Sequence, residues 1–346
     1  MKFTVKMRGT CGGNVTLHPA GLLSSVKKFL NFSARLEVAK KFSMKFTVKM
    51  RGTCGGNVTL HPTGLLSSVK KFLNFSARLE VAKKFSMKFM VKMRGTCGEL
   101  AQGFFCGEPI LITCPIEIFS TAVVSDEFAG VEGLGTKSLA MLDNVLKIFG
   151  AKDFKFGVRL TSQLPRGKGM ASSSADMAAV AQAVAHSLGK NFSPEELGKL
   201  CAQIEPTDGI FYDGVVAMNP LTGRLVKKIR AQEKFQIALF DYGGQVDTLK
   251  LNRRSDFVFP SLDDEINFAL VKNSALANQK ILPKKNLEKL MTFAEELGAV
   301  AVNVAHSGTV AGIFFHEDDS RVDEKISAVR KIFNRPQFMT LTKLAV

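Results

Sequence analysis

One stretch of thirteen residues narrows the choice of fold more than any other: Leu164-Pro165-Arg166-Gly167-Lys168-Gly169-Met170-Ala171-Ser172-Ser173-Ser174-Ala175-Asp176. The alternating segment Phe154–Thr161 precedes it and reads as a strand, and the Ala-rich run Ser172–Leu188, closed by Gly189, reads as a helix. A strand that passes into a helix through glycines and serines suits an anion. Gly167 and Gly169 let the backbone approach a ligand closely and reach φ > 0. Ser172, Ser173 and Ser174 place hydroxyls where the first helical N–H groups lack partners. The positive end of the helix dipole points the same way, and Lys168 adds a point charge. The loop is not a Walker A, because GxxxxGK[ST] does not occur. A Gly-Ser turn capping an ordinary helix would use the same residues, so spacing alone leaves both readings open.

The surrounding pattern predicts strands over Lys88–Arg94, Pro109–Ile118 and Phe119–Ser125, with Gly95–Gly103 as a Gly-punctuated loop. Helical spacing runs through Ser138–Phe149. Ser193–Ile204 carries a full start signal: Ser193 as N-cap, Pro194 at the first position and Glu196 at the third. Further strands are expected at Ile210–Asn219, Arg224–Ile229 and Phe235–Asp241. Helices are expected at Asp263–Gln279 and Lys285–Leu297, strands at Ala299–Val304 and Val310–Phe315, then a helix at Val322–Phe333 and a strand at Gln337–Leu344. Strands and helices mixed without strict alternation imply α+β layers, with a boundary near 230–234.

The chain starts with a repeat. Residues 1–43 and 44–86 are identical except that Ala20 becomes Thr63, and a third copy opens at Met87 and diverges at Glu99. Solenoid repeats diverge more and need three or more units, so the pattern reads as a recent tandem duplication or a misassigned start, and as dispensable. The competing reading is a basic arm: in 65–84, Leu66, Val69, Phe72, Leu73 and Phe75 stand among Lys70, Lys71, Arg78, Lys83 and Lys84, a pattern that can lie on an anionic surface. Charge follows the same division. Residues 1–86 hold 16 basic and 2 acidic side chains, against 31 and 29 in residues 87–346. The nearly neutral body lacks the clustered charge that nucleic-acid binding requires. No zinc-like Cys/His spacing occurs, and the six cysteines read as reduced, mostly buried thiols of a cytoplasmic protein. The apolar stretch Ala299–Phe315, broken by Asn303, His306 and Ser307, reads as strand–loop–strand rather than a membrane span, and no signal-peptide pattern is present.

Pro165, Gly167, Gly169, Met170, Ala171, Ser172, Ser173 and Ser174 resemble the second signature of the GHMP kinases, with Met170 where Leu is usual. The 305–312 segment, Ala305 to Gly312, loosely matches the family's third signature, its glycine run reduced to Gly308 and Gly312. Thr96-Cys97-Gly98-Glu99-Leu100-Ala101-Gln102-Gly103, Ile112-Thr113-Cys114-Pro115-Ile116 and Ile204-Glu205-Pro206-Thr207-Asp208-Gly209 narrow the resemblance to the L-threonine kinase branch that serves cobalamin side-chain synthesis. The resemblance runs through most of residues 88–315 and leaves 1–86 untouched.

It implies an ATP- and Mg²⁺-dependent small-molecule kinase with the two-domain GHMP kinase fold. A ribosomal protein S5 domain 2-like N-terminal domain would span 87–232, and a ferredoxin-like C-terminal domain 233–346. It implies nucleotide contacts from Pro165, Gly167, Lys168, Gly169, Met170, Ala171, Ser172, Ser173 and Ser174. Ser173 and Glu205 become Mg²⁺ ligands, and Asp208 the base, with Asp213 next in line. Glu99, Gln102, His306, Ser307, Gly308 and Thr309 become candidates for the acceptor. A homodimer is compatible with it; nucleic acid and membrane are not expected partners. Homoserine- or mevalonate-type kinases, and a non-catalytic metabolite-binding protein, are the alternatives. Outside the resemblance, Glu205 reads as a solvated helix-end carboxylate, Asp208 as a turn residue before Gly209, and His306 as a satisfied core histidine.

Overall fold

The computed structural model describes residues 2–8, 45–51, 56–59, 87–246 and 256–345. The chain divides into two compact units, Met1–Ser86 and Met87–Val346. In the first, β1 (Lys2–Arg8) pairs in parallel with β2 (Lys45–Arg51), and β3 (Gly56–Thr59) pairs antiparallel with β2. Each residue of β1 lies opposite its own copy in β2. The proposed basic segment at 65–84 lies outside the described residues.

The second unit starts with two long strands, β4 (Lys88–Phe105) and β5 (Glu108–Ser125), joined by a two-residue turn in which Cys106 and Gly107 both take positive φ, as hairpin twist favours. Chain order continues with β6 (Val131–Glu132), α1 (Thr136–Ile148), β7 (Gly157–Ser162), α2 (Ser172–Ser187) and α3 (Pro194–Ala202). Then come β8 (Val215–Asn219), β9 (Arg224–Ile229), β10 (Phe235–Asp241), α4 (Phe268–Asn278) and α5 (Leu287–Glu296). The chain closes with β11 (Ala301–Val304), β12 (Val310–His316), α6 (Val322–Ile332) and β13 (Gln337–Lys343). One ten-stranded mixed sheet runs β13-β10-β12-β11-β4-β5-β7-β6, with β8 and β9 branching from β5. The boundary expected at 232 falls in the connection between β9 and β10.

Several expectations shift. Gly95–Gly103, expected as loop, continues β4, with register shifts at Arg94/Gly95, Thr96/Glu99 and Glu99/Ala101. The glycines serve the bulges instead of ending the strand. The two strands expected over 109–125 are one. Ile210–Asn219 is strand only from Val215, because a turn with Tyr212 N–H on the Gly209 carbonyl occupies its start. The helix expected from Asp263 begins at Phe268, where the Asn267 side chain accepts from the Leu270 N–H. The Ser193 cap is found as expected: Ser193 Oγ accepts from Glu196 N–H, and the Glu196 carboxylate accepts from Ser193 N–H.

The buried face of α2 explains its alanines. Residues 174–181 and 183–185 are all buried, and α2 packs on β4, β5, α1 and α3. Side chains larger than Ala on so many sides would hold those elements apart. Met177, Val180 and Val184 bury their side chains fully, each contributing about 1.5–3 kcal/mol of transfer free energy. This packing fixes the start of α2 relative to the sheet. Of the described cysteines, Cys97, Cys114 and Cys201 are buried and Cys106 is exposed. Among the described residues no helix is long and apolar enough to cross a membrane.

Candidate active site

The loop from β7 to α2 takes the shape its glycines allow: φ is +71° at Gly167 and +78° at Gly169. Ala171, the residue before the helix, sits at φ 54°, ψ 24°, and no side chain caps α2. A non-Gly residue held in the left-handed region is strained, and here it aims the uncapped N–H groups of the first turn outward. They face a cavity of about 560 Å³, whose walls are the loop, residues 135–138 at the start of α1, residues 205–208, Glu99 and Gln102 of β4, and Ser307.

The three serines divide their work. Ser174 is buried and receives hydrogen bonds from Thr207 Oγ1 (3.0 Å) and the Asp208 N–H (3.4 Å). It therefore ties the 205–208 segment to the helix start. Ser172 and Ser173 line the cavity, and among the described residues no hydrogen bond engages either hydroxyl.

Glu205 follows α3 and is only 8% exposed. Its Oε2 pairs with the Lys137 ammonium from the first turn of α1. Its Oε1 is buried and, among the described residues, has no hydrogen-bond partner. A buried carboxylate oxygen left without a donor is costly. A hard cation at that place would satisfy it, and Mg²⁺ takes few protein oxygens, completing its shell with phosphate and water. The uncapped helix start, the open serine hydroxyls and this orphaned oxygen fit a Mg²⁺-polyphosphate.

Asp208 is half-buried and lines the cavity; Asp213 is exposed and does not. Asp176, one turn into α2, also lines it. Burial pushes its carboxyl above the ordinary value, against a 2.5 Å hydrogen bond from Ser120 Oγ and the Arg166 guanidinium 3.8 Å away.

Other predicted residues lie behind the wall. Lys168 does not offer its charge to the cavity: its ammonium donates to Asp241 Oδ2 (2.5 Å) and the Gly244 carbonyl (2.6 Å). Burial alone would raise the Asp241 carboxyl, but donors from Lys168, Thr309 and the Gly243 N–H hold it below the ordinary value. Thr309 donates to the same carboxylate (2.5 Å), and its N–H donates to the Lys168 carbonyl (3.0 Å). Gly308 packs so closely that a Cβ there would lie 2.1 Å from the Lys168 carbonyl oxygen. His306 is buried, its N–H on Glu99 Oε2 (2.8 Å) and its Nε2 2.9 Å from Ser274 Oγ. Thus Lys168, His306, Gly308 and Thr309 support the wall and Pro165 does not line it, while Glu99, Gln102, Ser307 and the rest of the phosphate loop form it. Sequence reasoning missed Lys137, Arg166 and Asp176. Lys137 sits one residue before the helix start expected at Ser138, so its place in the first turn was hidden.

Two helix N-termini, a glycine-serine cradle and a buried carboxylate surround one cavity suited to a polyphosphate, and the chain's similarity to known proteins gives the class: a small-molecule kinase. The chain belongs to the GHMP kinases. Residues 137–214 match the family model for the GHMP kinases N terminal domain. The L-threonine kinase of Citrobacter freundii is 31% identical over 249 residues, covering 65% of this chain and 85% of that protein. That of Salmonella typhimurium is 30% identical over 260 residues, covering 66% and 84%. The crystal structure of a 4-(cytidine 5'-diphospho)-2C-methyl-D-erythritol kinase shares the fold, with a TM-score of 0.54 at 18% identity, over 75% of this chain and 100% of that one. The α+β GHMP kinase fold expected from the motifs is the fold found.

Proposed function

We propose that the protein transfers the γ-phosphoryl group of ATP to the hydroxyl of L-threonine, giving O-phospho-L-threonine for cobalamin side-chain synthesis. The observation that carries the kinase site is the orphaned Glu205 Oε1 in the same cavity as the uncapped start of α2 and Asp208. The similarity to two L-threonine kinases supports the acceptor.

In this reading the first-turn N–H groups of α2 and the backbone of Gly167 and Gly169 hold the triphosphate. Ser173 and Glu205 hold Mg²⁺, which when bound neutralises phosphate charge. Lys137 keeps the Glu205 carboxylate in place. Asp208, held by Ser174, accepts the proton of the threonine hydroxyl as its oxygen bonds to phosphorus and the bond to ADP breaks. Positioning and charge neutralisation supply most of the rate in such transfers, with a positioned base adding about 10²–10⁴-fold. Glu99, Gln102 and Ser307 face the acceptor. A non-catalytic binding protein would need neither Glu205 nor Asp208 at the cavity wall.

ADP release measured with threonine, serine, homoserine and mevalonate tests the assignment, with ³¹P NMR of the product. Threonine is expected to give the highest kcat/KM and a phosphomonoester signal. Turnover of another alcohol with none of threonine would move the acceptor, and no ADP release with any would remove the reading.

A further inference from the structure

Three site loops converge on one residue. A Cβ at Gly98, in the β4 bulge, would lie 2.5 Å from Ala305 Cα, and a Cβ at Gly169, in the phosphate loop, 2.5 Å from Ala305 Cβ. Ala305 itself begins the 305–309 loop, whose Thr309 N–H bonds the Lys168 carbonyl. The vertex is therefore packed without slack, and what holds Ala305 holds the phosphate loop.

Lys284 holds it. This lysine, between α4 and α5, is 5% exposed. Its ammonium donates to the Ala305 carbonyl (2.8 Å) and to Asn278 Oδ1 (3.2 Å). Asn278 in turn donates to the His306 carbonyl (3.2 Å). The charged or titratable groups around it are Glu99 from β4 and His306 from the loop; α4 presents the uncharged Asn278 and Ser274, and neighbouring Lys285 is exposed. Lys284 does not line the cavity.

We propose that Lys284 is a positioning residue for the nucleotide: by pinning the Ala305 carbonyl it holds the phosphate loop in its binding shape. A buried ammonium is an expensive way to fill space, since hydrophobic replacements of similar volume often stabilise a fold. Burial lowers the Lys284 pKa to about 8 against the opposing influence of Glu99. Burial thus disfavours the charged form that it carries at neutral pH. Above that value the group loses the charge that strengthens its hydrogen bonds and balances Glu99.

The inference rests on reading the loop as an ATP site, and its test uses binding of a fluorescent ATP analogue with Mg²⁺, which needs no acceptor. In the full chain, Lys284→Met is expected to melt cooperatively yet bind the analogue about tenfold more weakly, the scale of one charge-assisted hydrogen bond. Wild-type affinity is expected to fall about threefold or more between pH 7.5 and 9.5 as the ammonium deprotonates, and the variant's to stay level. If Lys284→Met gives no cooperative melt, Lys284→Leu, which likewise has no N–H to donate, replaces it. Wild-type affinity in either folded variant, or a wild-type profile flat across that range, would overturn the proposal. A wild-type chain that fails to bind the analogue at all would instead overturn the ATP reading.

Discussion

At the residue scale the site is a set of unequal serines and carboxylates. Ser174 spends its hydroxyl on Thr207 and Asp208, whereas Ser173 keeps its own for the cavity. Glu205 spends one oxygen on Lys137 and keeps the other buried, without a partner among the described residues. Glu205→Gln would leave the shape and remove the charge. It is expected to lower kcat by about 10²-fold, the scale for losing one positioned electrostatic group, and to raise the Mg²⁺ concentration for half-maximal ADP release. Ser173→Ala should shift the same Mg²⁺ titration less, because a hydroxyl contributes a dipole where Glu205 contributes a charge. Full activity of either variant at limiting Mg²⁺ would remove that residue from the metal site. These residues were legible in sequence because each lies inside a short contiguous motif. Lys137, Ser120 and Lys284 were not, since each meets its partner from a different element: 68 residues separate Lys137 from Glu205, and 56 separate Ser120 from Asp176.

At the element scale, helices and their ends were legible where side chains write the signal locally. The Ser193–Pro194–Glu196 start and the Ala-rich α2 fall where the sequence places them. β4 was not, because its continuation depends on another element: Asn303 of β11 donates to the Cys97 and Glu99 carbonyls (2.5 and 3.1 Å). That amide occupies backbone acceptors at the bulge, and nothing near Gly98 in sequence announces it. α3 allows a clean test of local against global control. Ser193→Ala removes the reciprocal cap and should cost about 1 kcal/mol by denaturant unfolding. ATP affinity should not change, since Glu205 is held at the far end by Lys137 and by its N–H on the Cys201 carbonyl. A change in affinity without a change in stability would mean that the helix start reaches the site by another route.

At the scale of the whole molecule, charge and chemistry separate. Among the described residues, the elements that build the cavity lie in 87–346, a segment with 31 basic and 29 acidic side chains. Residues 1–86 carry 16 basic against 2 acidic. Binding of a polyphosphate by loop backbone and helix N-terminus is short-ranged, because the fields concerned fade within about a turn of helix and surface charge is screened over about 8 Å at physiological salt. A chain beginning at Met87 is therefore expected to bind the ATP analogue with a Kd within about twofold of the full chain in physiological salt, and to elute much earlier from a cation exchanger. Retained exchanger binding would place the basic surface in the body. A lost ATP site would show that residues 1–86 shape the loop after all, against the short reach of the forces that hold its phosphate.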